Sequence, residues 1–148
     1  MIRELNKQKE KSEERLWQLS EQSYLHGSPW SLDQFKQDVA QENSHYLIFT
    51  EENDWLGFVS YYQALDELDI SHVVIGREHQ RQGYGRLMLK EAISHWREQG
   101  FVRVLLEVRE SNHGAQVLYK EFGFQCIYTR KNYYHHPKED GLIFELTL

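Results

Sequence analysis

The sequence predicts an α/β (α+β) fold, a mixed and mostly antiparallel sheet with a central parallel βαβ unit and helices on both faces. Three observations lead there. The apolar runs His45–Thr50 and Trp55–Tyr62 flank the turn Glu51-Glu52-Asn53-Asp54 and read as a hairpin. Between about Glu67 and Arg109 the pattern changes to strand, helix, strand, which makes the two strands parallel neighbours. Two last runs, around Phe124–Tyr134 and Leu142–Leu148, close the chain as a second hairpin.

The elements follow in order. From roughly Lys7 to Gln41 the chain reads as two helical segments broken near His26-Gly27-Ser28-Pro29, with Ser31 as N-cap of the second. After the first hairpin comes a strand from about Glu67 to Ile75. The glycine-rich turn Gln80-Arg81-Gln82-Gly83-Tyr84-Gly85-Arg86 then opens a helix. In it Leu89, Ala92, Ile93 and Trp96 recur at the spacing of one helix face, and Gly100 ends it. A strand over Phe101–Arg109 follows. Asn112 can cap a last helix, which carries Ala115, Leu118, Tyr119 and Phe122 on its apolar face and ends at Gly123.

The 148 residues suit a single domain, 1–148, and 40% hydrophobic content with two prolines indicates a folded globule. No apolar run is long enough for a membrane span, and the charged start Met1–Lys7 lacks the apolar core of a secretory signal. With the lone Cys126, these features lead to the expectation of a cytoplasmic protein without membrane contact. A net charge of −6 argues against nucleic-acid binding and serves mainly solubility. Oligomeric state is not readable.

A glycine turn that opens a helix bares backbone N–H groups at the positive end of the helix dipole, which suits phosphate. The turn lacks the lysine and hydroxyl of a P-loop, and Met88 stands where a dinucleotide fingerprint needs its third glycine. Gln80, Gly83 and Gly85 instead match the acyl-CoA turn of the GNAT superfamily of N-acetyltransferases, which the chain resembles from about Pro29 to its end. Leu106-Glu107-Val108-Arg109-Glu110-Ser111-Asn112 resembles the ribosomal-protein-alanine N-acetyltransferase branch of that family (the RimI type). So do Ala115, Leu118-Tyr119, Gly123-Phe124, Pro29-Trp30-Ser31 and Arg130-Lys131-Asn132-Tyr133-Tyr134. One departure is Gly76-Arg77, where the family often has Asp-Pro.

The resemblance implies roles. Acetyl-CoA is the expected donor, with no metal, and a protein N-terminus, that of a ribosomal protein, the expected acceptor. Backbone N–H groups of Arg81, Gln82, Gly83, Tyr84, Gly85 and Arg86, with Gln80 before them, would hold the CoA pyrophosphate. Main-chain groups of Val73, Val74 and Ile75 would meet the pantetheine arm, and Asn112 would contact CoA besides capping its helix. Glu107 would act as general base through water, and Tyr119 would protonate the departing thiolate. By residue pattern alone, each has an ordinary alternative: Glu107 on a solvated strand face, Tyr119 in the core, Asn112 as cap only. Glu67, Asp69 and His72 are further candidate bases, though Glu67 and Asp69 also fit a half-exposed strand. Cys126 reads as a small buried hydrophobe, and His135-His136 as a turn before Pro137. Other acceptor amines, a non-catalytic acyl-CoA-binding module and an unrelated phosphate scaffold stay open.

Overall fold

A computed structural model describes residues 1–148. Seven strands form one sheet in the order β1-β2-β3-β4-β5-β7-β6. They are β1 (Ile2–Glu4), β2 (Ser44–Glu51), β3 (Asp54–Ala64), β4 (Glu67–Ile75), β5 (Arg103–Arg109), β6 (Gln125–His135) and β7 (Lys138–Thr147). Four helices accompany them: α1 (Glu13–Ser23), α2 (Leu32–Val39), α3 (Tyr84–Glu98) and α4 (His113–Glu121), with one 3-10 turn at Arg77–His79. Every strand pair is antiparallel except β4–β5.

Strand alternation divides the side chains between two layers. On one face Leu47, Phe49, Leu56 and Val59 pack with Met88, Leu89, Ala92, Ile93 and Trp96 of α3 and Tyr119 of α4. On the other, Tyr46, Ile48, Trp55 and Phe58 pack with Leu16 of α1 and with Phe35 and Val39 of α2. That second layer reaches only as far as Val74 of β4 and includes no residue of β5 or β7. The face of β5 and β7 turned away from α3 and α4 therefore carries no helix.

Local sequence sets the helix ends. Ser31 accepts a hydrogen bond from the Gln34 amide while the Gln34 side chain accepts from the Ser31 amide, a complete capping box. The Asn112 side chain accepts from Ala115 N at 3.2 Å and caps α4 as expected. Two boundaries differ from the sequence reading. The first residues form β1, held to Leu47–Phe49 of β2, because a free sheet edge can pair with a segment too short to show a pattern. β7 begins at Lys138 rather than Leu142, since pairs such as His135↔Lys138 and Tyr134↔Glu139 extend the hairpin into a polar tip.

Candidate active site

β4 and β5 pair over three residues only, Glu67↔Arg103, Leu68↔Val104 and Asp69↔Leu105. Beyond Asp69 the strands separate, so β4 runs on through Val73, Val74 and Ile75 without a ladder partner on its β5 side. A parallel pair that opens this way makes a cleft whose walls are main chain. Val74 and Ile75 are buried and Val73 is half-buried.

The turn after β4 lies at one end of the cleft. Arg81 has φ +61° and Gly83 φ +84°, so the backbone alternates in handedness before α3 starts at Tyr84. None of the six N–H groups from Arg81 to Arg86 donates a hydrogen bond within the protein; the first amide to do so is that of Leu87, to the Gly83 carbonyl. Six free donors at the positive end of a fifteen-residue helix form an anion-holding concavity. The side chains of this turn have other duties. Gln80 Nε2 donates to Ile75 O at 2.9 Å and to Ser23 O at 3.1 Å, tying β4 and α1 together. Arg86 pairs with Glu121 of α4, and the Tyr84 hydroxyl donates to Glu51 at 3.3 Å. Gln82 binds the Glu78 carbonyl at 2.9 Å. What the turn offers a ligand is backbone and the exposed Arg81 side chain.

The other end of the cleft is built from side chains. Glu107 lies on the odd-numbered face of β5 with Arg103, Leu105 and Arg109, the face without a helix over it. Its Oε1 is buried and accepts no hydrogen bond, with Arg130 Nε 3.4 Å away. Tyr119 comes from α4 and is 7% exposed, its ring set against Phe124 and Phe144 at 5.6 and 6.3 Å. Burial pushes its phenol up to about 12. The Tyr24 phenol, just past α1, lies buried near the Val73 amide, and the charges of Tyr119 and Tyr134 reach it. Burial, then the nearby Glu107 charge, holds Tyr134 up at about 12. The Glu107 charge thus reaches Tyr134, and those of Tyr134 and Tyr119 reach Tyr24, linking side chains from β5, β6, α4 and the segment after α1.

The remaining candidates are placed elsewhere or otherwise engaged. Glu67 and Glu145 share Arg103 at 2.8 and 2.5 Å, an ion pair network on a half-exposed strand. His72 is 2% exposed, bonded through Nδ1 to the Ser60 hydroxyl at 3.0 Å and ringed by Trp30, Phe35 and Tyr24. Burial lowers it to about 4, so it is neutral and belongs to the packing under the α1–α2 connection. Cys126 is a correction: it is exposed, because β6 is the outermost strand and no layer covers its start. His135 ends β6, and His136 with Pro137 forms the hairpin turn. Tyr24 carries no sequence signal of its own; Tyr134 and Arg130 stand in the Arg130–Tyr134 stretch but become neighbours of Glu107 only through strand order.

A splayed parallel pair behind an anion-holding turn defines an acyl-CoA-dependent acyltransferase fold. A family model described as the acetyltransferase (GNAT) family matches residues 10–124, and the chain belongs to that family. It is 36% identical over 128 residues to the [ribosomal protein bS18]-alanine N-acetyltransferase of Haemophilus influenzae, covering 86% of this chain and 84% of that protein. The crystal structure of the ribosomal-protein-S18-alanine N-acetyltransferase from Escherichia coli superposes with a TM-score of 0.87 at 27% identity, over 99% of this chain and 92% of that one. A GNAT family acetyltransferase from Elizabethkingia anophelis with acetyl-CoA bound has the same fold, with TM-score 0.80 and 17% identity over 100% of this chain and 97% of the other.

Proposed function

We propose that the protein transfers acetyl from acetyl-CoA directly to the α-amino group of an N-terminal alanine on a ribosomal protein. The observation that carries this is the cleft itself: a carboxylate without a hydrogen bond on one wall, a protonated phenol on the other, and free amides at the far end. The names of the relatives from Haemophilus influenzae and Escherichia coli support the acceptor.

Residues Arg81–Arg86 hold the pyrophosphate through their amides, and main-chain groups of Val73–Ile75 receive the pantetheine arm. Asn112 adds a contact beside its cap. Glu107 takes the ammonium proton through a water, leaving a neutral amine to attack the thioester carbonyl. Tyr119 then gives its proton to the departing thiolate. A phenol at about 12 is fully protonated at neutral pH and stays a competent donor. The choice of amine follows from acidity: an α-amine titrates near 7.7–8.0 and a lysine near 10.4, a difference of about 3.5 kcal/mol in freeing the nitrogen. A carboxylate acting through water meets the smaller demand.

The test is an acetyl-transfer assay on peptides with a free N-terminal alanine, the same peptides blocked at the N-terminus, and peptides with internal lysines. Transfer to the free α-amine alone is the expected result. Tyr119→Phe, which keeps the ring among Phe124 and Phe144, should lower kcat about 100-fold with acetyl-CoA affinity unchanged. Transfer to blocked peptides carrying lysine would overturn the acceptor class.

A further inference from the structure

Arg130 is the cation nearest Glu107, and it reaches the site from the outermost strand. Its register partner on β7 is Gly141, which also pairs with Arg109 of β5, so no side chain stands between β6 and β5 at that level. A Cβ on Gly141 would come within 3.2 Å of the Tyr133 ring and 3.4 Å of the Tyr134 ring. The bare position lets both tyrosines fold over the sheet and brings the Arg130 head toward β5.

The contact has an unusual form. Arg130 Nε lies 3.4 Å from Glu107 Oε1, yet that oxygen accepts no hydrogen bond. The guanidinium is also held over the Tyr133 ring, 5.1 Å from its centroid. Shared between a ring and a carboxylate, it acts on the buried Oε1 by charge without donating a hydrogen bond to it. The other groups around Glu107 do not replace it. Arg109, on the same strand, is engaged by Glu139 and the His136 and Pro137 carbonyls and stacks on Tyr134. β7 offers the apolar Ile143, β6 the neutral Tyr134 phenol, and β4 the Asp69 carboxylate, whose charge Arg130 also feels.

We propose that Arg130 is a positioning residue for the transfer, fixing through the buried Oε1 how the Glu107 carboxylate is turned. The proposal rests on the reading of Glu107 as base. A cation 3.4 Å from one carboxylate oxygen favours the rotamer that keeps the two groups close. Arg130 is 48% exposed in its side chain, so the effect falls at the lower end of the range for such a pair.

The experiment compares kcat and KM for one free-alanine peptide in the wild type, Arg130→Gln and Arg130→Lys. Arg130→Gln should lower kcat about 10-fold, with unchanged unfolding midpoint and acetyl-CoA affinity, and Arg130→Lys should restore most of it. An unchanged kcat in Arg130→Gln, in an enzyme that Glu107→Gln inactivates, overturns the role of Arg130. Full activity of Glu107→Gln would instead remove Glu107 as base, a separate failure.

Discussion

The two ends of the cleft are made of different material. The end proposed for the donor is consecutive backbone, Arg81 to Arg86, whose amides are free because Arg81 and Gly83 take left-handed φ and α3 begins just beyond. The end proposed for the acceptor draws on side chains from β5, α4, β6 and the segment after α1. Backbone sites depend on local conformation and forgive most side-chain changes. Side-chain sites depend on single atoms. The contrast predicts that binding of the donor and chemistry on the acceptor separate under mutation.

Glu107→Gln gives the sharpest separation. It keeps shape and removes the proton acceptor, so kcat should fall about 10²–10³-fold at pH 7 while acetyl-CoA affinity holds. The loss should shrink toward pH 9.5, where an α-amine is already neutral. An equal loss at both pH values, read from initial rates, would place proton removal on another group.

Gly83→Val should do the reverse. A Cβ at Gly83 meets nothing within 4 Å, so crowding is absent and the cost comes from φ +84°. A β-branched residue resists that region by about 1–2 kcal/mol and turns the amides away from one another. Calorimetry should show acetyl-CoA binding weakened about 10-fold or more, with kcat at saturation close to the wild type. Normal affinity would mean that the turn does not hold the donor.

The same contrast decides what could be read from the sequence. Glycines at 83 and 85 between an apolar strand and an amphipathic helix record the turn locally, and so do the Ser31 and Asn112 caps. The β4–β5 crossover was equally visible, because the switch from hairpin to alternation fixes parallel neighbours. Glu107 could be placed on its face by alternation, but no local pattern says that this face is left without a helix. That follows from α1 and α2 stopping at β4. The approach of Arg130 depends on β6 lying outside β7, and on the bare Gly141 of β7 standing between Arg130 and β5. Cys126 shows the same dependence in reverse: in the sequence it reads as a small buried hydrophobe at a strand start, while its strand is an edge.

His72 tests the boundary between the two ends with the smallest effect. It sits on β4 one residue before Val73, with Trp30 at 4.4 Å and Tyr24 at 6.1 Å, so it supports the α1–α2 connection that borders the acceptor end. Burial lowers its folded-state value to about 4, the Asp38 charge offsetting part of that, against about 6.5 unfolded. Above pH 6.5 both states are neutral and the residue adds no pH dependence. Below it the unfolded chain binds a proton that the folded protein refuses, so stability falls from pH 6.5 down to 4. At pH 5 the loss amounts to about 2 kcal/mol, and urea unfolding of the wild type against His72→Asn isolates it, since all other titrations are shared. If the α1–α2 connection serves the acceptor end, the acceptor KM of the wild type should also rise at pH 5 more than that of His72→Asn, with acetyl-CoA affinity moving equally in both. A change confined to acetyl-CoA affinity would assign His72 to the donor end, and the two regions would no longer be independent.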